Sequence, residues 1–262
     1  QTRIELLSKF GFSFTKGSVH TSRTIMLEDL ELLFEAVNNP TATRDKYLKA
    51  IIEHNCLKKR SVKTRQLTAR HLTDLYILDP SITIFRALRF FWQRDKNCHP
   101  LIALLCACAR DPILKNSTLF ILNYSEGKRI TREALEEFID KKDPGRFSKA
   151  TLKSAAQNIN SSFTKAGHLI GKAKKIRATA KATAGSAAYA LFLGYLEGTR
   201  GEALFSSEYA RLLDCPIHRT IELAEEASRR GWIVFKRVGD VMEVLFPHLL
   251  THEEMELIRE QN

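Results

Sequence analysis

The sequence predicts a mainly α-helical fold: a helical N-terminal domain with helix-turn-helix units, then a winged-helix-like C-terminal domain with one β-hairpin. Three observations lead there. Apolar residues recur at helical spacing through most of the chain. Asn38-Asn39-Pro40, Asp79-Pro80 and Asp111-Pro112 cut that pattern into helix-sized pieces. The one β-rich stretch comes near the end, where residues 232–238 and 241–246 flank Gly239-Asp240 as a hairpin should.

In chain order, the spacing predicts helices over 25–37 and 43–53. Ser61 reads as the N-cap of a third helix reaching residue 76. Residues 82–92 and 100–109 read as buried helices, and Asp111-Pro112 starts another. Thr131 caps a helix with core residues Ala134, Leu135, Phe138 and Ile139, and residues 142–147 break it. Ser148 caps the next, with apolar Leu152, Ala155, Ala156, Ile159, Phe163 and Ala166 along one stripe. Residues 167–185, rich in Lys, Ala and Thr, are expected to be a basic connector between a domain over 1–166 and one over 186–262. In the latter, helices over 186–197, 207–213 and 216–230 precede the hairpin.

Charge narrows the function. The 262 residues carry 41 Lys and Arg against 30 Asp and Glu, a formal net charge of +11. Residues 141–181 hold eleven basic residues against the single Asp143, a local charge of +10, so nearly all the excess lies in one segment. Such concentration points to a polyanionic partner. On the helix after Ser148, the face opposite the apolar stripe carries Gln157, Asn158, Ser161 and Thr164, flanked by Lys149, Lys153 and Lys165. Amides and hydroxyls can bond base edges and phosphates, while lysines neutralise phosphates. Lys172, Lys174, Lys175 and Arg177 continue the patch. A weaker patch combines Lys59, Arg60, Lys63 and Arg70; nearby Arg65 falls on the apolar side of its helix and must snorkel or pair. In the C-terminal unit Lys236 and Arg237 make the hairpin tip basic, but Glu222, Glu225 and Glu226 line its third helix and would repel phosphates.

The chain resembles the BrxA family, a small component of BREX bacteriophage-exclusion systems. The resemblance rests on EHNCLKKRSVKTR at 53–65, QNINSSFTKAG at 157–167, YALFLGYLEGTRG at 189–201 and RGWIVFKRVGD at 230–240. It implies a helix-turn-helix protein that binds double-stranded DNA, has no catalytic role of its own, and works beside other BREX proteins. An assembly scaffold docking an acidic protein partner and an RNA-binding helical protein are the alternatives.

No catalytic constellation, cofactor motif or metal motif stands out. A GxxxxGK[ST] loop and an HExxH motif are absent, and His248 and His252 make two ligands without a third. The five cysteines form no CxxC pair, which suggests reduced thiols. The longest apolar run, 101–109, falls far short of the ~20 residues a membrane span needs. With no secretory leader pattern at the start, the expected location is cytoplasmic and off the membrane.

Overall fold

The computed structural model describes residues 2–260; positions 1, 261 and 262, the outer ends of the two expected domains, lie outside the described residues. α1 (Arg3–Phe10) opens on a reciprocal cap between Thr2 and Glu5 and stops at Gly11, where φ is 108°. No other residue fits there, because a Cβ would lie 2.7 Å from the Ile77 and Ile82 side chains. A loop with a 3-10 turn (Val19–Thr21) leads to α2 (Leu27–Ala36) and α3 (Arg44–Ile52). α4 (Val62–Tyr76) starts at Ser61, whose hydroxyl accepts from the Thr64 N–H, the cap the sequence predicts. α5 (Thr83–Arg94), α6 (His99–Arg110) and α7 (Pro112–Leu122) follow, with Pro100 and Pro112 in first turns that need no N–H. The predicted caps Thr131 and Ser148 open α8 (Arg132–Lys142) and α9 (Lys149–Ala166), and Gly167 ends α9 in the left-handed region.

Short strands on either side of α8 and α9 are elements that helical periodicity does not reveal. β1 (Arg129–Ile130), β2 (Leu169–Ile170) and β3 (Lys175–Arg177) form an antiparallel sheet in the order β1-β3-β2, pairing Arg129 with Ile176 and Leu169 with Arg177. α10 (Ala184–Leu196), α11 (Glu208–Arg211) and α12 (Ile217–Arg229) precede the predicted hairpin, β4 (Val234–Val238) with β5 (Val241–Leu245). α13 (His252–Arg259) closes the described chain. The protein is thus mainly helical with a small antiparallel hairpin, as expected.

The expected division at 167–185 is not a break in packing. α10 is buried on nearly every side, because its residues are apolar or small all round, and it packs on α5, α6 and α12 at once. Tyr189 of α10 donates its hydroxyl to the Ile84 carbonyl at 3.0 Å, and Arg86 of α5 pairs with Glu254 of α13 at 2.6 Å. One hydrophobic core therefore runs from Leu6 to Ile258. The connector itself is folded: β2 and β3 lie in it, and it is tied to the turn before α12 by Arg177 and His168.

A buried polar network holds the loop before α2. Asp111, the N-cap of α7, accepts from the Ile113 and Leu114 N–H groups, from the Ser18 hydroxyl at 2.8 Å, and from His20 Nδ1 at 2.9 Å. The other ring nitrogen, His20 Nε2, lies 2.8 Å from the Ser162 hydroxyl of α9, which also accepts from the Ile25 N–H. Serine, histidine and aspartate follow one another as in a hydrolase, but His20 and Ser162 are 0% exposed and Asp111 2%, so no substrate reaches the hydroxyl. Burial pushes the Asp111 carboxyl up, yet its hydrogen bonds from His20, Ser18 and Leu114 outweigh that and hold it below the ordinary carboxylate value.

A carboxyl held low stabilises the fold above its unfolded value and loses that contribution as pH falls below ~3.9 and through the folded value. Asp111→Asn should therefore lower stability by about 3 kcal/mol at pH 7, and the gap to the parent should narrow toward pH 3. Urea unfolding midpoints across that range check both; a constant gap would mean the carboxylate charge plays no part.

Candidate nucleic-acid interface

α9 is buried along the predicted stripe of Leu152, Ala155, Ala156, Ile159 and Phe163. What remains is a strip in which Lys149, Lys153 and Gln157 are exposed at successive i+4 positions, with Ser161 half-buried one turn further on. The helix carries no acid. Its N-terminal turn holds Lys149, a cation where the helix dipole gives it no help, a cost that an anionic partner would relieve.

Several expected contacts are committed inside the protein. Asn158 Nδ2 donates to the His20 carbonyl at 2.9 Å, so this amide holds the loop rather than facing solvent. Thr164 returns its hydroxyl to the Asn160 carbonyl at 2.7 Å, within its own helix. Lys165 is paired with Glu28 in the first turn of α2. Lys59 donates to Asp29 at 2.8 Å, again closing on α2. Lys175 bends back to the Gly171 carbonyl at 2.7 Å.

Arg177 is the clearest correction. It is 6% exposed and forms a two-point pair with Asp214, at 2.5 and 2.8 Å. Asp214 also accepts from the Ala180 N–H at 2.9 Å, and His168 Nε2 meets the Leu212 carbonyl at 2.8 Å. Burial drives His168 down to about 4, so this imidazole is neutral at pH 7. Arginine in a lysine-rich stretch looks like one more phosphate ligand; here it anchors the 167–185 connector, a folded strap, to the turn before α12.

Lys172 and Lys174 are exposed in the β2–β3 turn, and Arg60, Lys63 and Arg70 are exposed on or just before α4. Arg65 does pair, donating to the Ile52 carbonyl at the end of α3 at 2.7 Å. α4 and α9 both pack against the Val19–Thr21 turn, so the fold brings the two basic helices to either side of one loop. Lys236 and Arg237 are exposed on the hairpin, where Lys236 lies 3.8 Å from Glu243. On α12 two of the three expected repulsive carboxylates have their own cations, Glu222 with Arg219 at 2.7 Å and Glu226 with Arg230 at 2.6 Å. The positioning residues His20, Asp111 and Ser162 carry no local motif, and sequence reasoning misses them.

Among the described residues no cluster of three His, Cys, Asp or Glu side chains is suited to a metal ion, and no helix is long and apolar enough to cross a membrane. A scan against protein-family models gives no match for this chain, and a search of curated proteins also gives none.

Arg177→Met should cost about 3 kcal/mol of stability by leaving Asp214 buried without its cation. The double change Lys172→Glu and Lys174→Glu should stay within about 0.5 kcal/mol of the parent, as exposed positions do. Denaturant midpoints compare the two; equal losses would show that the turn is as structural as the strap.

Proposed function

We propose that this chain is a non-enzymatic double-stranded DNA-binding protein of the BrxA kind, acting in a BREX-type phage-defence assembly with weak sequence preference. The observation that carries it is the acid-free, exposed strip of α9, Lys149, Lys153 and Gln157, inside the segment that holds almost the whole net charge. Cations at i+4 spacing with an amide between turns match phosphate contacts that orient a helix, with Gln157 free to reach a base edge. The family assignment rests on the four strings quoted from the sequence. The exposed lysines of the β2–β3 turn and the basic residues of α4 extend the phosphate-contacting surface.

A second reading has its own observation. At the hairpin tip Val238 is 80% exposed and Val241 72%, beside Lys236 and Arg237. Apolar tips of this kind favour contact with protein, so we read the α10–α12 unit and its wing-like hairpin as the part that docks other members of the assembly.

The test is a fluorescence-anisotropy titration with duplex DNA, single strands and structured RNA at several salt concentrations. If about six phosphates are neutralised, duplex affinity should fall ~10³-fold between 50 and 200 mM salt. Lys149→Glu with Lys153→Glu should weaken duplex binding at least ~10-fold, because each reversal adds a repulsion where an attraction stood. Lys165 is left alone, since a glutamate there would face Glu28 and disturb the fold. Salt-independent binding, or a folded double variant that binds like the parent, would reject α9 as the contact.

A further inference from the structure

Between α4 and the loop before α2 lies a cleft of about 530 Å³ whose walls mix hydroxyls and cations with apolar Val19 and Leu75 and the carboxylates of Asp74 and Asp111. Ser13, Thr15 and Ser22 come from the loop, Arg70 and His71 from α4, and Arg110 from the end of α6. The Nδ1 atom of His71 is buried and has no hydrogen-bond partner. The rest of the ring is half-buried in the α4 wall, and burial together with nearby Arg23 and Arg70 holds its pKa below the ordinary imidazole value. Arg70 points outward with its side chain 78% exposed, and Asp74, the carboxylate nearest it, is 4.0 Å away. Arg110 is fixed in place by donating to the Asp74 and Gly11 carbonyls. The Ser13 and Thr15 hydroxyls share one bond at 3.1 Å, which leaves one of their two protons to give outward.

Two carboxylates also border the cleft, and neither fills it. Asp111 is 2% exposed, with its oxygens engaged by His20, Ser18 and the first N–H groups of α7. Asp74 stands beside Arg70, four residues on along α4. Hydroxyls on one wall, Arg70 at the rim and the remaining donor capacity of Arg110 suit a compact oxyanion with several acceptor oxygens. A small apolar ligand would leave the outward proton of the Ser13–Thr15 pair without a partner.

We infer that this cleft seats a phosphate group, and that its ligand is a backbone phosphodiester of the duplex that α9 contacts; the second half of this inference rests on the DNA-binding reading. The loop that forms one wall is the one α9 holds through His20 and Ser162, so the cleft is fixed relative to the α9 strip.

The experiment has two arms and two variants: Arg70→Ala with His71→Ala, and Ser22→Asp, which puts a carboxylate on the exposed rim without touching the core. In the first arm duplex affinity is measured against salt. Both variants should bind about 10-fold more weakly at fixed salt, and the slope of log affinity against log salt should be shallower by ~0.9, one phosphate's worth. In the second arm thermal unfolding is followed in millimolar inorganic phosphate against chloride at equal ionic strength. Protection of the parent that both variants lose supports the cleft as an anion site whether or not duplex binds. A shallower slope without that protection supports it as a site for the diester alone. If the parent binds duplex but both folded variants keep its slope and affinity, the diester assignment is overturned and the α9 reading stands. If the parent binds no duplex and phosphate protects parent and variants alike, both fall.

Discussion

A carboxylate taken out of water must be surrounded by donors, or the fold loses several kcal/mol. Asp111 meets that demand by drawing in a loop ninety residues away in sequence: Ser18 and His20 donate to it, and His20 then reaches Ser162. Asn158, one turn before Ser162, donates back to the His20 carbonyl. These bonds fix the rotation of α9 about its axis. With 158 and 162 turned toward the loop, the 100° step per residue carries 153 and 157 out to solvent. The outward strip of α9 is thus a consequence of a buried acid on a different helix. The same loop backs onto α4, so one network orients both basic helices.

Local sequence charge and surface charge differ here for a definable reason. Within the +10 segment, Arg177 is paired with Asp214, Lys165 with Glu28, and Arg146 sits 3.6 Å from Asp143. Two of those three carboxylates lie far outside the segment, where no count over a window can find them. Lys59 is likewise held by Asp29. Cations left without such partners include Lys149 and Lys153 on α9, set among alanine and serine, and Lys172 and Lys174, beside glycine and alanine. Their lack of partners, rather than their number, marks the candidate surface.

What was legible in the sequence was local. Ser61, Thr131 and Ser148 cap helices through bonds to N–H groups three residues on, so a few letters suffice. The hairpin around Gly239-Asp240 was legible because the turn and its strands are contiguous. The β1–β3–β2 sheet was not: its strands are two or three residues long, and Arg129 meets Ile176 across the whole of α8 and α9. α1 is faint in the sequence because its eight residues bury only Leu6, Leu7 and Phe10. At the site, periodicity separated the buried stripe of α9 from its polar face correctly, but it could not tell Gln157, which is exposed, from Asn158, which serves the loop. Both are amides on the same side of the helical wheel, and only the loop's carbonyl distinguishes them.

The shared core also bears on how separate surfaces could act together. Had residues 167–185 been a flexible linker, a contact at the hairpin would join one at α9 only through an effective concentration set by chain length. The strap removes that freedom: Arg177 and His168 fasten it to the turn before α12, and α10 is wedged between α5, α6 and α12. Surfaces on one rigid body lose their relative motion during folding, so a partner touching both meets no further ordering cost between them. The geometry then becomes strict. A duplex or protein that fits the α9 strip can use Lys236, Arg237 and the two exposed valines only where the fold already holds them, and a partner of the wrong shape cannot draw them closer. Rigidity of this kind selects partners by shape even where the contacts to phosphate carry no sequence information.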